Sequence, residues 1–67
     1  MILMRVQYHG KERRISVAQG SCIEDVLQKL GINRETVLVS RNKEIVPETE
    51  RVKHNDRIVI MKITSSG

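Results

Sequence analysis

Arg57-Ile-Val-Ile-Met-Lys-Ile-Thr-Ser-Ser-Gly67 is the stretch from which the rest of the chain is read. From Ile58 to Ile63 it is apolar and β-branched, broken only by Lys62, which predicts a strand with at least one buried face. Alternation sends Ile58 and Ile60 toward a core and Val59 and Met61 to the opposite side. Beyond Ile63 stand only Thr64, Ser65, Ser66 and Gly67, none able to fill a core. Extended, such a tail reaches roughly 13 Å past the sheet. Taken alone, a short polar tail is most often a frayed end. Directly behind a strong strand it has a second reading, a terminus held out for a partner.

Moving back along the chain, His54-Asn55-Asp56 is a turn feeding the final strand. Glu48 to Lys53 is polar except for Val52 and is expected to hold a single helical turn. Glu44-Ile45-Val46 reads as a short strand stopped by Pro47, and Thr36 to Arg41 as another. Asn42-Lys43 must be a tight turn between them, of a type the residues leave open. Ile23, Val26, Leu27 and Leu30 recur at helical spacing and form one apolar stripe, with Glu24, Asp25, Gln28 and Lys29 on the other side. Ser21 followed by Glu24 reads as a capping box, and Gly31 as the left-handed stop. Ile2 to Tyr8 and Arg13 to Val17 alternate as strands around a turn at His9 to Glu12, where Gly10 is free to take positive φ.

The expected order is therefore β-β-α-β-β-β, an α+β fold. A mixed sheet of four to five strands carries one helix packed on one face. The first and last strands are the longest apolar ones, so they belong at the sheet centre, parallel and adjacent, joined by the helix and later strands as the crossover. Residues 1–63 form the domain and 64–67 a flexible tail.

Sixty-seven residues make one small domain near the lower limit for folding without disulfide or metal. Cys22 is the single cysteine, which rules out an intrachain disulfide, and no Cys/His spacing suits zinc. The N-terminus turns charged too soon for a signal peptide, and no apolar run approaches ~18 residues. A cytoplasmic, monomeric protein, neither secreted nor membrane-spanning, is expected. The net charge is +4 and the pI about 9.7. The twelve Lys and Arg are scattered from Arg5 to Lys62, and Tyr8 is the one aromatic, so a nucleic-acid reader built on base stacking is not favoured. Dispersed charge reads as solvated surface or as a match for an acidic protein partner.

The pattern resembles the ubiquitin-like β-grasp fold. More narrowly it is similar to the sulfur carriers of thiamin and molybdopterin synthesis and to archaeal ubiquitin-like modifiers. The likeness rests on Val26-Leu27 and Leu30-Gly31-Ile32, on Thr36 to Asn42, and on Glu44-Ile45-Val46-Pro47. It is completed by His54-Asn55-Asp56 before the last strand and by the closing Gly67. It covers nearly the whole chain, and the length suits the thiamin-type carriers. Two places depart from the family pattern: Ser66 stands where Gly-Gly is usual, and Asn42-Lys43 where Asn-Gly is commoner.

The resemblance implies a non-enzymatic carrier that binds no cofactor. An E1-like adenylating enzyme uses ATP on the Gly67 carboxylate and converts it to a thiocarboxylate, which gives sulfur to an accepting synthase. In modifier relatives the activated carboxylate is linked to lysines instead. A binding module of the same fold, for RNA or protein, is the other alternative. Gly67 is thus the expected carrier residue, with Thr64, Ser65 and Ser66 as spacer. Val59 and Met61 are the expected docking pair, with Leu38 a further contributor and Arg41, Arg57 and Lys62 as a basic surround for an acidic partner. Cys22, His9, His54 and Glu24 form no nucleophile–base or metal constellation, which leaves no case for catalysis.

Overall fold

The computed structural model describes residues 1–63. Strand β1 is Ile2–Tyr8, β2 Lys11–Val17, helix α1 Ile23–Leu30, β3 Val37–Arg41, β4 Glu44–Val46 and β5 Arg57–Lys62. The sheet order is β2-β1-β5-β3-β4. All neighbours are antiparallel except β1 and β5, which run parallel at the centre, with Val6 beside Ile58 and Tyr8 beside Ile60. This is the β-grasp arrangement expected from the sequence, with the final strand as its middle.

Two hairpin turns are tight because their residues accept left-handed backbone. His9 (φ 54°) and Gly10 (φ 73°) join β1 to β2, and Asn42 (φ 52°) and Lys43 (φ 74°) join β3 to β4. Positive φ at both central residues is the type I′ geometry, whose twist matches that of paired strands. The turn at His9 and Gly10 is shorter than the sequence suggested. β2 starts at Lys11, not Arg13, because Tyr8 and Lys11 already pair.

Helix α1 lays Ile23, Val26 and Leu27 on the sheet, where they meet Met4, Val6, Val17, Val37, Val39, Val52, Ile58 and Ile60 in one core. Leu30 and Ile32 pack at its margin. Gly31 ends the helix at φ 73°, as expected.

The helix start differs from the expected Ser21–Glu24 box. Cys22 is the N-cap, and the Asp25 carboxylate takes its N–H at 2.9 Å. The Ser21 hydroxyl instead donates to the Ala18 carbonyl at 2.7 Å. The next two helical donors are met from outside the helix: Ile23 N–H donates to the Glu50 carbonyl at 2.8 Å and Glu24 N–H to the Glu48 carbonyl at 2.9 Å. This docking also explains why residues 48–53 form no helical turn. Their carbonyls serve the end of α1, Arg51 bridges Cys22, and Val52 is buried beneath. A one-turn helix would have spent those carbonyls on itself. A short 3-10 turn, Arg34–Thr36, precedes β3, which therefore begins at Val37 and not at Thr36. Among the described residues no helix is long and apolar enough to cross a membrane.

Candidate functional site

The site is built where β5 leaves the sheet. Val37 pairs with Lys62 and Leu38 with Met61, and one residue later the Ile63 N–H donates to the Thr36 carbonyl at 2.8 Å. Thr36 is itself fixed, since its N–H and hydroxyl both donate to the Asn33 carbonyl, at 3.1 and 2.8 Å. The chain is therefore tied to the body of the fold up to Ile63. Thr64, Ser65, Ser66 and Gly67, the expected spacer and carrier, lie outside the described residues.

The sheet face away from α1 carries the expected docking residues. Val59 and Met61 project there, and β3 adds Leu38 directly opposite Met61. Leu38 is 46% exposed and Met61 39%. Register extends the patch to Ile45, which shares Ser40 as cross-strand neighbour with Val59 and is 60% exposed. Sequence reading missed Ile45. Its signal was the alternation in β4, where Val46 packs on the core and so turns Ile45 outward.

The basic surround is not assembled as expected. Of the three cations, Arg57 alone shares the face with Val59 and Met61. Lys62 stands beside Val37, and Arg41 beside Ile58, both on the helix side of the sheet. Arg41 is also engaged there. Its Nη1 donates to the Arg51 carbonyl at 2.7 Å and its Nε lies 3.9 Å from the Asp56 carboxylate.

Asp56 is the buried polar centre that holds this corner. It accepts from the Lys53 N–H at 2.6 Å and from Asn42 Nδ2 at 3.2 Å. Asn42 in turn clamps the start of β5: its Oδ1 accepts the Arg57 N–H at 3.0 Å and its own N–H donates to the Arg57 carbonyl at 2.9 Å. The β3–β4 turn therefore fixes where β5 begins, and the β3 entry fixes where it ends.

Two of the remaining polar candidates are held in structural contacts. Glu24 pairs with Arg34 at 2.9 Å, and His54 Nδ1 accepts the Leu3 N–H at 3.1 Å. Among the described residues no three His, Cys, Asp or Glu side chains are grouped for a metal.

Comparison with known proteins agrees with this fold. Residues 5–67 match the model of the ThiS family. The chain is similar to the sulfur carrier protein TtuB of Thermus thermophilus, with 31% identity over 65 residues, 96% of this chain and 100% of the relative. Among solved structures it resembles the thiamine biosynthesis protein ThiS of Geobacter metallireducens. The TM-score is 0.66 at 22% identity, covering 96% of this chain and 100% of that one. It also resembles ATBAG1, solved in complex with HSP70, at TM-score 0.74 and 14% identity. There it covers 94% of this chain and 41% of the other. At such identities the two structures speak for the fold alone.

Proposed function

The chain belongs to the ThiS family, whose members are small non-catalytic sulfur carriers, and on that premise we propose that Gly67 is the residue that carries the sulfur. The Gly67 carboxylate attacks the α-phosphate of ATP in an E1-like partner, releasing pyrophosphate and forming an acyl-adenylate. Hydrosulfide then attacks the acyl carbon, the bond to AMP breaks with AMP as leaving group, and a thiocarboxylate remains. The accepting enzyme is a synthase of thiamin-type cofactor biosynthesis.

The observation that carries this reading is that the family match runs through to residue 67. The hydrogen bond from Ile63 to Thr36 supports it, because a rigid attachment lets the body act as a handle that aims the terminus. Small residues at 64–67 bring no bulky side chain into a narrow active site, and glycine puts the carboxylate on an unbranched tip. In this reading Thr64, Ser65 and Ser66 are the spacer behind Gly67, and Val59, Met61, Leu38 and Ile45 with Arg57 are the docking face.

The test is intact mass after incubation with ATP, a sulfur donor and the host's E1-like enzyme. Replacement of one oxygen by sulfur, absent when Gly67 is deleted, is the expected result. Equal sulfur transfer by the protein lacking Gly67 would overturn it.

A further inference from the structure

Scattered in the sequence, Arg5, Arg14 and Arg57 become neighbours in the sheet. Arg14 stands directly opposite Arg5 across β2 and β1, and Arg57 lies beside Arg5 across β1 and β5. All three are exposed and all project from the face that α1 does not cover. At about 4.8 Å between strands, the row is roughly 10 Å long. With Leu3, Met4 and Asn55 the three line a concavity of about 380 Å³. Among the described residues none of the three is ion-paired; the carboxylates at ion-pair distance of an arginine are those held by Arg34 and Arg41. Glu12 is the one acidic strand residue on this face, placed beside Gln7 two pairs along from Arg5 and Arg14. Like charges directly opposite one another in a sheet cost stability. Two such pairs sharing Arg5 are a local loss that an anion would relieve.

We propose that this row is a binding site for the phosphodiester backbone of a single-stranded nucleic acid. The row runs across the strands, from the edge strand β2 to the central strand β5. β1 is hydrogen-bonded to β2 and β5 on its two sides, and β5 to β1 and β3, so a peptide laid along the row, across the strands, finds no free main-chain groups on β1 or β5 and only the outer edge of β2 open. A phosphodiester chain needs none, because it presents one charge per link, and each guanidinium offers a planar fork to phosphate oxygens. Exposed Leu3 on one side of the row and half-buried Val59 on the other offer apolar surface to unpaired bases. The excess positive charge of the whole chain draws in a polyanion and not a single ion. The proposal does not rest on the carrier reading.

The probe is a fluorescein-labelled single-stranded RNA oligonucleotide, followed by anisotropy with the full chain and no partner enzyme. Neutralising up to three phosphates gives a slope of log affinity against log salt near about −2, a loss of roughly 15- to 20-fold between 50 and 200 mM salt. Each of Arg5→Gln, Arg14→Gln and Arg57→Gln reduces the slope by about 0.7, and the triple variant abolishes binding at 50 mM. Lys11→Gln, an equal charge change on the helix side of β2, leaves the slope alone. Thermal unfolding of the triple variant at or above the parent's midpoint shows that the fold is kept. No binding at 25 mM salt, or equal losses from Lys11→Gln and from each arginine, would overturn the site. Displacement of the RNA by an acidic peptide at matched charge would overturn the choice of ligand and give the row to a protein partner.

Discussion

The two faces of the sheet differ by a single step along each strand. On one, Met4, Val6, Val37, Val39, Ile58 and Ile60 are sealed under α1. On the other, Leu3, Arg5, Leu38, Val59 and Met61 remain at the surface. No second layer among the described residues covers that face, and it keeps apolar side chains beside cationic ones. Period-two alternation lets one strand hold the molecule together and present a recognition surface at the same time. β5 does this most completely: it supplies a fully buried isoleucine, the proposed docking pair of Val59 and Met61, one arginine of the row and the exit toward residue 64.

Ile58→Ala tests the covered face hardest. Ile58 is fully buried between β1 and β3, and its truncation removes about 2–5 kcal/mol, lowering the unfolding midpoint by about 10 °C or more in a domain of this size. Val59→Ala, one residue along, is expected to cost about 1 kcal/mol or less. Equal shifts in circular-dichroism melts would dissolve the distinction between the faces. Asp56→Ala ranks next, at about 1–3 kcal/mol, because it leaves the Lys53 N–H and the Asn42 amide without their acceptor in a buried corner. Asp56→Asn, which keeps a carbonyl oxygen, should lose less in urea titrations. If the two cost the same, the hydrogen bonds at this corner carry no weight. Gly31→Ala should cost about 1 kcal/mol, from φ alone, since a Cβ there meets no atom within 4 Å.

The covered face was legible in the sequence because burial leaves a periodic mark. Ile23, Val26 and Leu27 at helical spacing, and Ile58 with Ile60 at strand spacing, needed no tertiary information. The helix start was not legible. Ser21 and Glu24 satisfy a local rule, but the Glu24 N–H it would serve goes to the carbonyl of Glu48, more than twenty positions away, and the Ser21 N–H to that of Ala18. The left-handed Lys43 has no residue-level signal, since Asn-Lys is a poor type I′ pair unless Asn42 is also bonded to Arg57. The arginine row was invisible for a related reason. Charges at positions 5, 14 and 57 become neighbours only through strand register, and no composition measure encodes register. Arg41 and Lys62 misled in the opposite direction: grouped with Val59 and Met61 as a basic surround, they fall on the helix side once parity is applied.

The smallest expected effect on stability is the sharpest test of the open face. Leu38 and Met61 are paired across β3 and β5 and substantially exposed to water, so Leu38→Ser with Met61→Ser should move the stability by no more than about 0.5 kcal/mol per site. If the patch seats the activating enzyme, the same double variant raises KM for the carrier in ATP–pyrophosphate exchange about tenfold, roughly 1.4 kcal/mol of lost docking, with kcat little changed. The split matters because it separates binding from chemistry: the carboxylate that reacts is untouched, and only the handle has been altered. An unchanged KM beside an unchanged melt would make these side chains ordinary surface, and docking would then fall to Val59, Ile45 and Arg57. A fall in kcat at constant KM would mean that the face aligns the tail after binding and does not capture it, which moves the role of β5 from affinity to aim.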